Sequence, residues 1–131
     1  MPDTIDPAKR AAALPSVPPD GPVTLINSFV VAPDRDDAFL ALWTETSRYF
    51  RAQPGFVSLR LHRAVSPDAR YRFVNVAVWE SVGQFGAAHE TDEFRRLVGQ
   101  PGYREFPSSP ALYQVAVAAA AAVADADASA A

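Results

Sequence analysis

Apolar and polar positions recur along this chain in an order that divides it into six elements. VTLINSFVV, Val23 to Val31, is dense in β-branched and apolar side chains and runs into Pro33-Asp34, which predicts a strand that stops where a helix starts. The stretch DDAFLALWTETSRYFRAQ then puts Phe39, Leu42, Trp43, Thr46, Tyr49 and Phe50 on one helical stripe, with Asp34 as the expected N-cap and PGF as the stop. Two further strands are predicted, FVSLRLHRAV (Phe56 to Val65) and YRFVNVAVW (Tyr71 to Trp79), joined by the turn-forming SPDAR. Ser81 with Gln84 reads as a capping box that opens a second helix carrying Val82, Phe85, Ala88, Phe94 and Leu97, with a break near Thr91. A last strand is expected around Ala111 to Val117.

The order β-α-β-β-α-β is the ferredoxin-like plan of the α+β class, in which both helices cover one face of a four-stranded antiparallel sheet. The other face then has no helix to cover it. Along Tyr71 to Trp79 one side presents Tyr71, Phe73, Asn75, Ala77 and Trp79, and the other Arg72, Val74, Val76 and Val78. Both sides are mostly apolar. At about 0.8 kcal/mol per CH₂, leaving three neighbouring valines in water forgoes several kcal/mol. A second copy of the sheet is the simplest cover, so the expected partner is a homodimer mate, giving a dimeric α+β barrel.

With 131 residues the chain has room for one such domain, placed at 23–118 between a proline-rich arm at 1–22 and an alanine-rich tail at 119–131. The short apolar AAALPSV within the arm is a candidate to dock on a partner subunit or over a pocket. A net charge of -3 with scattered arginines offers no face for a phosphate backbone, so nucleic acid is not expected as a partner. No membrane span and no secretory leader are legible before the tail, and a cytoplasmic location is the expectation. The absence of cysteine excludes disulfides and thiolate chemistry. The two histidines, His62 and His89, fall in different elements with no carboxylate pair at ligand spacing, so no metal site is expected.

Candidate chemistry sits on the helix-facing side of the sheet. Asn75 and Trp79 are four apart in a strand, hence on one face and roughly 13 Å apart. A carboxamide in an apolar row costs free energy until it finds partners, so Asn75 either satisfies a neighbouring backbone or faces a pocket with a polar ligand. Asn27 shares its face with Leu25, Phe29 and Val31 and poses the same alternative. Two such amides in one small sheet favour a pocket.

FVNVAVWES (Phe73 to Ser81), the following helix with QFGAAHETDEF, and RAQPGFVSLRLHRA together resemble the antibiotic biosynthesis monooxygenase domain over about Val23 to Val117. The resemblance implies a small cofactor-free oxygenase acting on an aromatic polyketide-type phenol or anthrone and O₂, with Asn75 and Trp79 at the family's functional positions and Asn27 as a first-strand counterpart used by some members. Where the actinorhodin-type enzyme has a tyrosine near the start of the second helix, this chain has Phe85. His89, one turn later, is then a candidate acid or base, because histidine as a residue type titrates near neutral pH; the structural reading is a histidine at a helix bend bonded to a carbonyl. Tyr49 and Tyr103 are further candidate proton donors.

The chemistry needs neither flavin nor metal, since a deprotonated electron-rich anthrone can itself give an electron to O₂. The protein must hold a flat ring in an apolar slot, stabilise negative charge on its oxygen and keep water out. Phe29, Trp43, Tyr49, Phe73 and Phe85 are the expected wall. Arg60, on one face with His62, binds an anionic oxygen if that face meets the helices and is an interface ion-pair residue if it meets a partner subunit. Competing functions on the same scaffold are polyketide cyclisation or lactone isomerisation, haem binding, and non-catalytic binding of a small molecule. Haem-degrading relatives pair a tryptophan and a histidine at places that look like Ala88 and Val98 here, which speaks against haem.

Overall fold

The computed structural model describes residues 21–122. Its elements follow the predicted order: β1 (Val23–Phe29), α1 (Asp36–Arg51), β2 (Phe56–Arg63), β3 (Phe73–Trp79), α2 (Val82–Ala88), α3 (Asp92–Val98) and β4 (Ser108–Tyr113), with 3₁₀ turns at Pro33–Arg35 and Pro101–Glu105. The four strands form one antiparallel sheet in the order β2-β3-β1-β4, the ferredoxin-like arrangement. Among the described residues no helix is long and apolar enough to cross a membrane. The proposed docking stretch AAALPSV, most of the arm and the end of the alanine tail lie outside the described residues.

Alternation along the strands assigns the faces. In β3, Phe73, Asn75, Ala77 and Trp79 are buried while Val74, Val76 and Val78 are only half-buried, the period-2 signature of a sheet covered on one side. The buried side carries two aromatic-rich clusters. Phe29, Val31, Phe39, Phe73 and Phe106 form one, with Trp43 and Leu42 against it. Val23, Ala77, Trp79 and Ala88 form the other, joined by Phe50, Phe56 and Phe85. On the opposite side Tyr113 is half-exposed and Arg60 and His62 stand in solvent, so that face has no cover among the described residues.

Several boundaries differ from expectation for identifiable reasons. Asp34 does not cap α1: it lies inside the 3₁₀ turn, and the helix begins at Asp36 with no side-chain cap bond. Asp36 instead receives Arg72 Nε at 2.6 Å and Arg72 Nη2 at 2.9 Å, which ties the start of α1 to the start of β3. The last strand is Ser108–Tyr113, upstream of the expected Ala111 to Val117. It pairs only with β1, and an edge strand tolerates Pro110 because a missing N–H costs nothing on the unpaired side. Val115 and Val117 are exposed beyond it.

The second helix is two short ones, as the sequence implies. Ser81 Oγ accepts the Gln84 amide at 3.1 Å and donates to Gln84 Oε1 at 3.0 Å, and Thr91 Oγ1 accepts the Phe94 amide at 3.0 Å to start α3. Gly55, with φ of 86°, makes the turn from α1 into β2, and its carbonyl accepts the Glu80 amide at 2.8 Å. That bond holds the turn against the entry to α2.

Candidate functional site

Between the sheet and its helices lies a cavity of about 530 Å³. Its floor is the buried face of β1 and β3, where the register sets Asn27 directly opposite Asn75. The two amides sit midway between the aromatic clusters: Phe29 pairs with Phe73 on one side, and Leu25 pairs with Ala77 on the other. Both carboxamide oxygens are buried and have no hydrogen-bond partner. A half-turn of each amide exchanges its oxygen for its NH₂ without changing shape, so each side chain can offer the cavity a donor or an acceptor.

Trp79 closes one end. Its indole is 1% exposed and meets Phe50, Phe56 and Phe85 edge-on, at ring separations of 5.9, 5.4 and 5.7 Å. Such T-shaped contacts fix the ring plane, because the positive edge of each phenyl ring seeks the negative face of its neighbour. Trp43 closes the other end beside Phe29, Phe39 and Phe106.

His89 reaches the cavity from the C-terminal end of α2, packed 4.2 Å from Phe85, 4.8 Å from Phe94 and 5.0 Å from Phe50. Its Nδ1 stands 2.7 Å from the Phe85 carbonyl oxygen. A carbonyl only accepts, so Nδ1 is the donor in this bond. His89 is a helix-end histidine bonded to a carbonyl, as the structural reading expected, and it also lines the cavity. Phe85 contributes a ring and a carbonyl in place of a phenolic hydroxyl.

The roof holds a second polar group. Thr46 Oγ1 donates to the Leu42 carbonyl at 2.9 Å, so its oxygen is free to accept the hydroxyl proton of Tyr103. This fixes the direction of the Tyr103 O–H and leaves its oxygen lone pairs for the cavity. Burial pushes the Tyr103 phenol above its ordinary pKa against a smaller opposing pull from the Thr46 bond, so it stays protonated near neutral pH.

Of the residues singled out in the sequence, Asn27, Phe29, Trp43, Asn75, Trp79, Phe85 and His89 line this cavity, and Phe73 packs in the cluster at its edge. Tyr49 is placed elsewhere. Its hydroxyl donates to the Ala88 carbonyl at 2.6 Å and bonds Thr91 Oγ1, which makes it the brace of the α2–α3 joint. Arg60 is exposed on the bare face and cannot reach a ligand among these residues. Sequence reasoning passed over Thr46, Ser108, Pro110 and Phe106 as wall residues; the first reads as one member of a packing stripe, and the others were lost with the misplaced last strand.

A helix-roofed, ferredoxin-like sheet enclosing an apolar cavity with a few converging amides defines a small-molecule-binding α+β domain. Residues 22–100 match the family model for the antibiotic biosynthesis monooxygenase, and the chain belongs to that family. It is 36% identical over 90 residues to the deoxynogalonate monooxygenase of Streptomyces nogalater, covering 69% of this chain and 64% of that relative, so the chain spans somewhat under two thirds of the relative's length. A protein from Shewanella loihica PV-4 superposes with a TM-score of 0.65 at 34% identity, over 75% of this chain and 97% of that one. SnoaB, a cofactor-independent oxygenase from Streptomyces nogalater, does so with a TM-score of 0.63 at 29% identity, over 75% and 96%.

Proposed function

We propose that this protein is a cofactor-independent monooxygenase that oxidises an electron-rich phenol or anthrone to a quinone with O₂, working as a homodimer joined through its bare sheet faces. The observation that carries the reading is the facing pair of carboxamides, Asn27 and Asn75, whose buried oxygens have no hydrogen-bond partner, in the floor of an aromatic-walled cavity. Two buried amide oxygens without partners are costly unless a ligand supplies the missing bonds. The family membership and the likeness to a cofactor-independent oxygenase support the same reaction class.

For an anthrone the steps balance without another reductant. His89 Nε2 takes a proton from the methylene carbon, and the resulting anion spreads onto the ring oxygen, where amide N–H groups of Asn75 and Asn27 stabilise it. One electron passes to O₂, and the substrate radical and superoxide combine to form a C–O bond. The imidazolium returns its proton to the peroxide. Loss of the second C–H proton with cleavage of the O–O bond gives the carbonyl and water. Four electrons leave the carbon; one oxygen atom stays in the quinone and the other becomes water. Trp79 and Trp43 bracket the flat ring, and the apolar wall keeps water from the peroxide.

The homodimer is supported by Ile26, Val74, Val76 and Val78, half-buried on a face that no described residue covers. Oxygen-electrode measurements with 1,8-dihydroxyanthrone test the activity. Metal-free protein should consume one O₂ per quinone formed, with the rate abolished or nearly so in Asn75→Ala and His89→Ala. Quinone formation without O₂ uptake, or full activity in both variants, would contradict the proposal.

A further inference from the structure

The roof of the cavity carries a hydroxyl whose direction is already set. Thr46 donates its own proton to the Leu42 carbonyl at 2.9 Å, one turn back in α1, so toward Tyr103 it can only accept. The Tyr103 phenol therefore gives its proton to Thr46 and keeps only lone pairs, and both residues line the cavity. Burial raises the phenol above its ordinary pKa, outweighing the Thr46 hydrogen bond that lowers it, so the proton stays in place near neutral pH. The ring is also held in position. Tyr103 stands in the 3₁₀ turn Pro101–Glu105, its amide bonded to the Gln100 carbonyl at 3.1 Å. Two residues on, Glu105 pairs with Arg35 Nε and, at 2.9 Å, with Arg35 Nη2, which links this turn to the turn that leads into α1. Asn27 and Asn75 in the floor can each present a donor or an acceptor, whereas the roof oxygen can only accept. It receives a hydrogen bond from a ligand O–H and has none to offer an ether oxygen. Tyr103 lies beyond residues 22–100, the part of the chain that matches the family model.

We infer that Tyr103, oriented by Thr46, is a specificity-determining residue: it reads a free hydroxyl on the aromatic ligand and discriminates against the same position closed as a methyl ether. The inference takes the class of ligand, a hydroxylated polycyclic ring, from the oxygenase reading. The preference for a hydroxyl comes from the Thr46 and Tyr103 pair alone.

The test is binding to the full chain, followed by quenching of Trp43 and Trp79 fluorescence, with three stable quinones as probes. These are 1,8-dihydroxyanthraquinones carrying a methyl, a hydroxymethyl or a methoxymethyl group at position 3, so that only the third group changes. The alcohol should bind about 10-fold more tightly than its ether, the order of one neutral hydrogen bond. Tyr103→Phe should weaken the alcohol by about that factor and leave the methyl probe within twofold of its parent affinity. Thr46→Val keeps the shape of the roof but removes the group that takes the phenol proton. Tyr103 then becomes able to donate, and the ether should rise to within about threefold of an alcohol whose affinity is unchanged. A merely structural role for the pair would move all three probes together. An alcohol and ether within threefold of each other in the parent, a preference that survives both substitutions, or no binding of any probe would overturn the inference. The expected pattern in a protein that consumes no O₂ with 1,8-dihydroxyanthrone would leave it standing while removing the oxygenase reading, and O₂ uptake without the preference would do the reverse.

Discussion

Asn27 and Asn75 are paired in register, the first half-buried and the second buried, and each has a buried amide oxygen without a partner. A buried polar group left without a partner costs about 1–3 kcal/mol, so a fold that places two side by side forgoes stability that apolar residues would supply. The consequence is a separation of stability from activity. Asn75→Ala removes an oxygen that makes no bond, and its melting temperature should stay within a few degrees of the parent while kcat falls about 100-fold, the usual loss of one donor to a developing oxyanion. Parallel thermal and kinetic measurements check this; a large loss of stability with activity retained would contradict it. Asn75 and Trp79 were legible from strand alternation alone, since period 2 fixes which side chains share the helix-covered face. Tyr49 was not, because helical spacing says which stripe a residue joins and nothing of where its hydroxyl ends. That hydroxyl lies at the α2–α3 joint, bonded to Ala88 and Thr91.

Element order was written plainly in the sequence, while element ends were set by contacts between distant segments. Asp34 has the chemistry of an N-cap, yet α1 starts after it because Asp36 is drawn to Arg72, just before β3. The Arg72 hydrogen bond, aided by charge attraction from Arg72 and Arg63, holds the Asp36 carboxyl below its ordinary pKa despite partial desolvation. The stabilisation this gives is complete above the unfolded carboxylate value of about 4 and is lost as the pH falls through the lower folded value. Asp36→Asn should therefore melt below the parent at pH 7, and the two melting curves should converge in acid. A difference unchanged between pH 7 and pH 3 would exclude the pair as its origin. Gly55 sets the other joint. A Cβ there would lie 2.5 Å from Gln84 Cδ and 2.6 Å from its Cβ, and a φ of 86° suits no L side chain. Gly55→Ala should cost upward of about 2 kcal/mol in urea denaturation; an unchanged midpoint would show that the turn relaxes freely.

At the scale of the whole molecule, one sheet is asked to serve two surfaces. Its covered face holds the cavity, and its bare face, with Val76 opposite Arg60 on β2 and Ile26 on β1, is the surface that the proposed homodimer would bury. Val76→Arg places a charge at the centre of that face and should shift the protein toward monomer in sedimentation analysis; a parent that already sediments as a monomer would contradict the homodimer. The bare face was legible in the sequence because both sides of YRFVNVAVW are apolar and only one can meet helices. The shape of the cavity was not, since it depends on β4 ending its wall with Ser108 and Pro110 and on Tyr103 locking onto Thr46. The account as a whole turns on where a flat aromatic lies. A crystal structure with 1,8-dihydroxyanthraquinone bound should place the ring between sheet and helices, with a ring oxygen within about 3 Å of an Asn27 or Asn75 carboxamide. A quinone seated on the bare face, or touching neither asparagine, would contradict it.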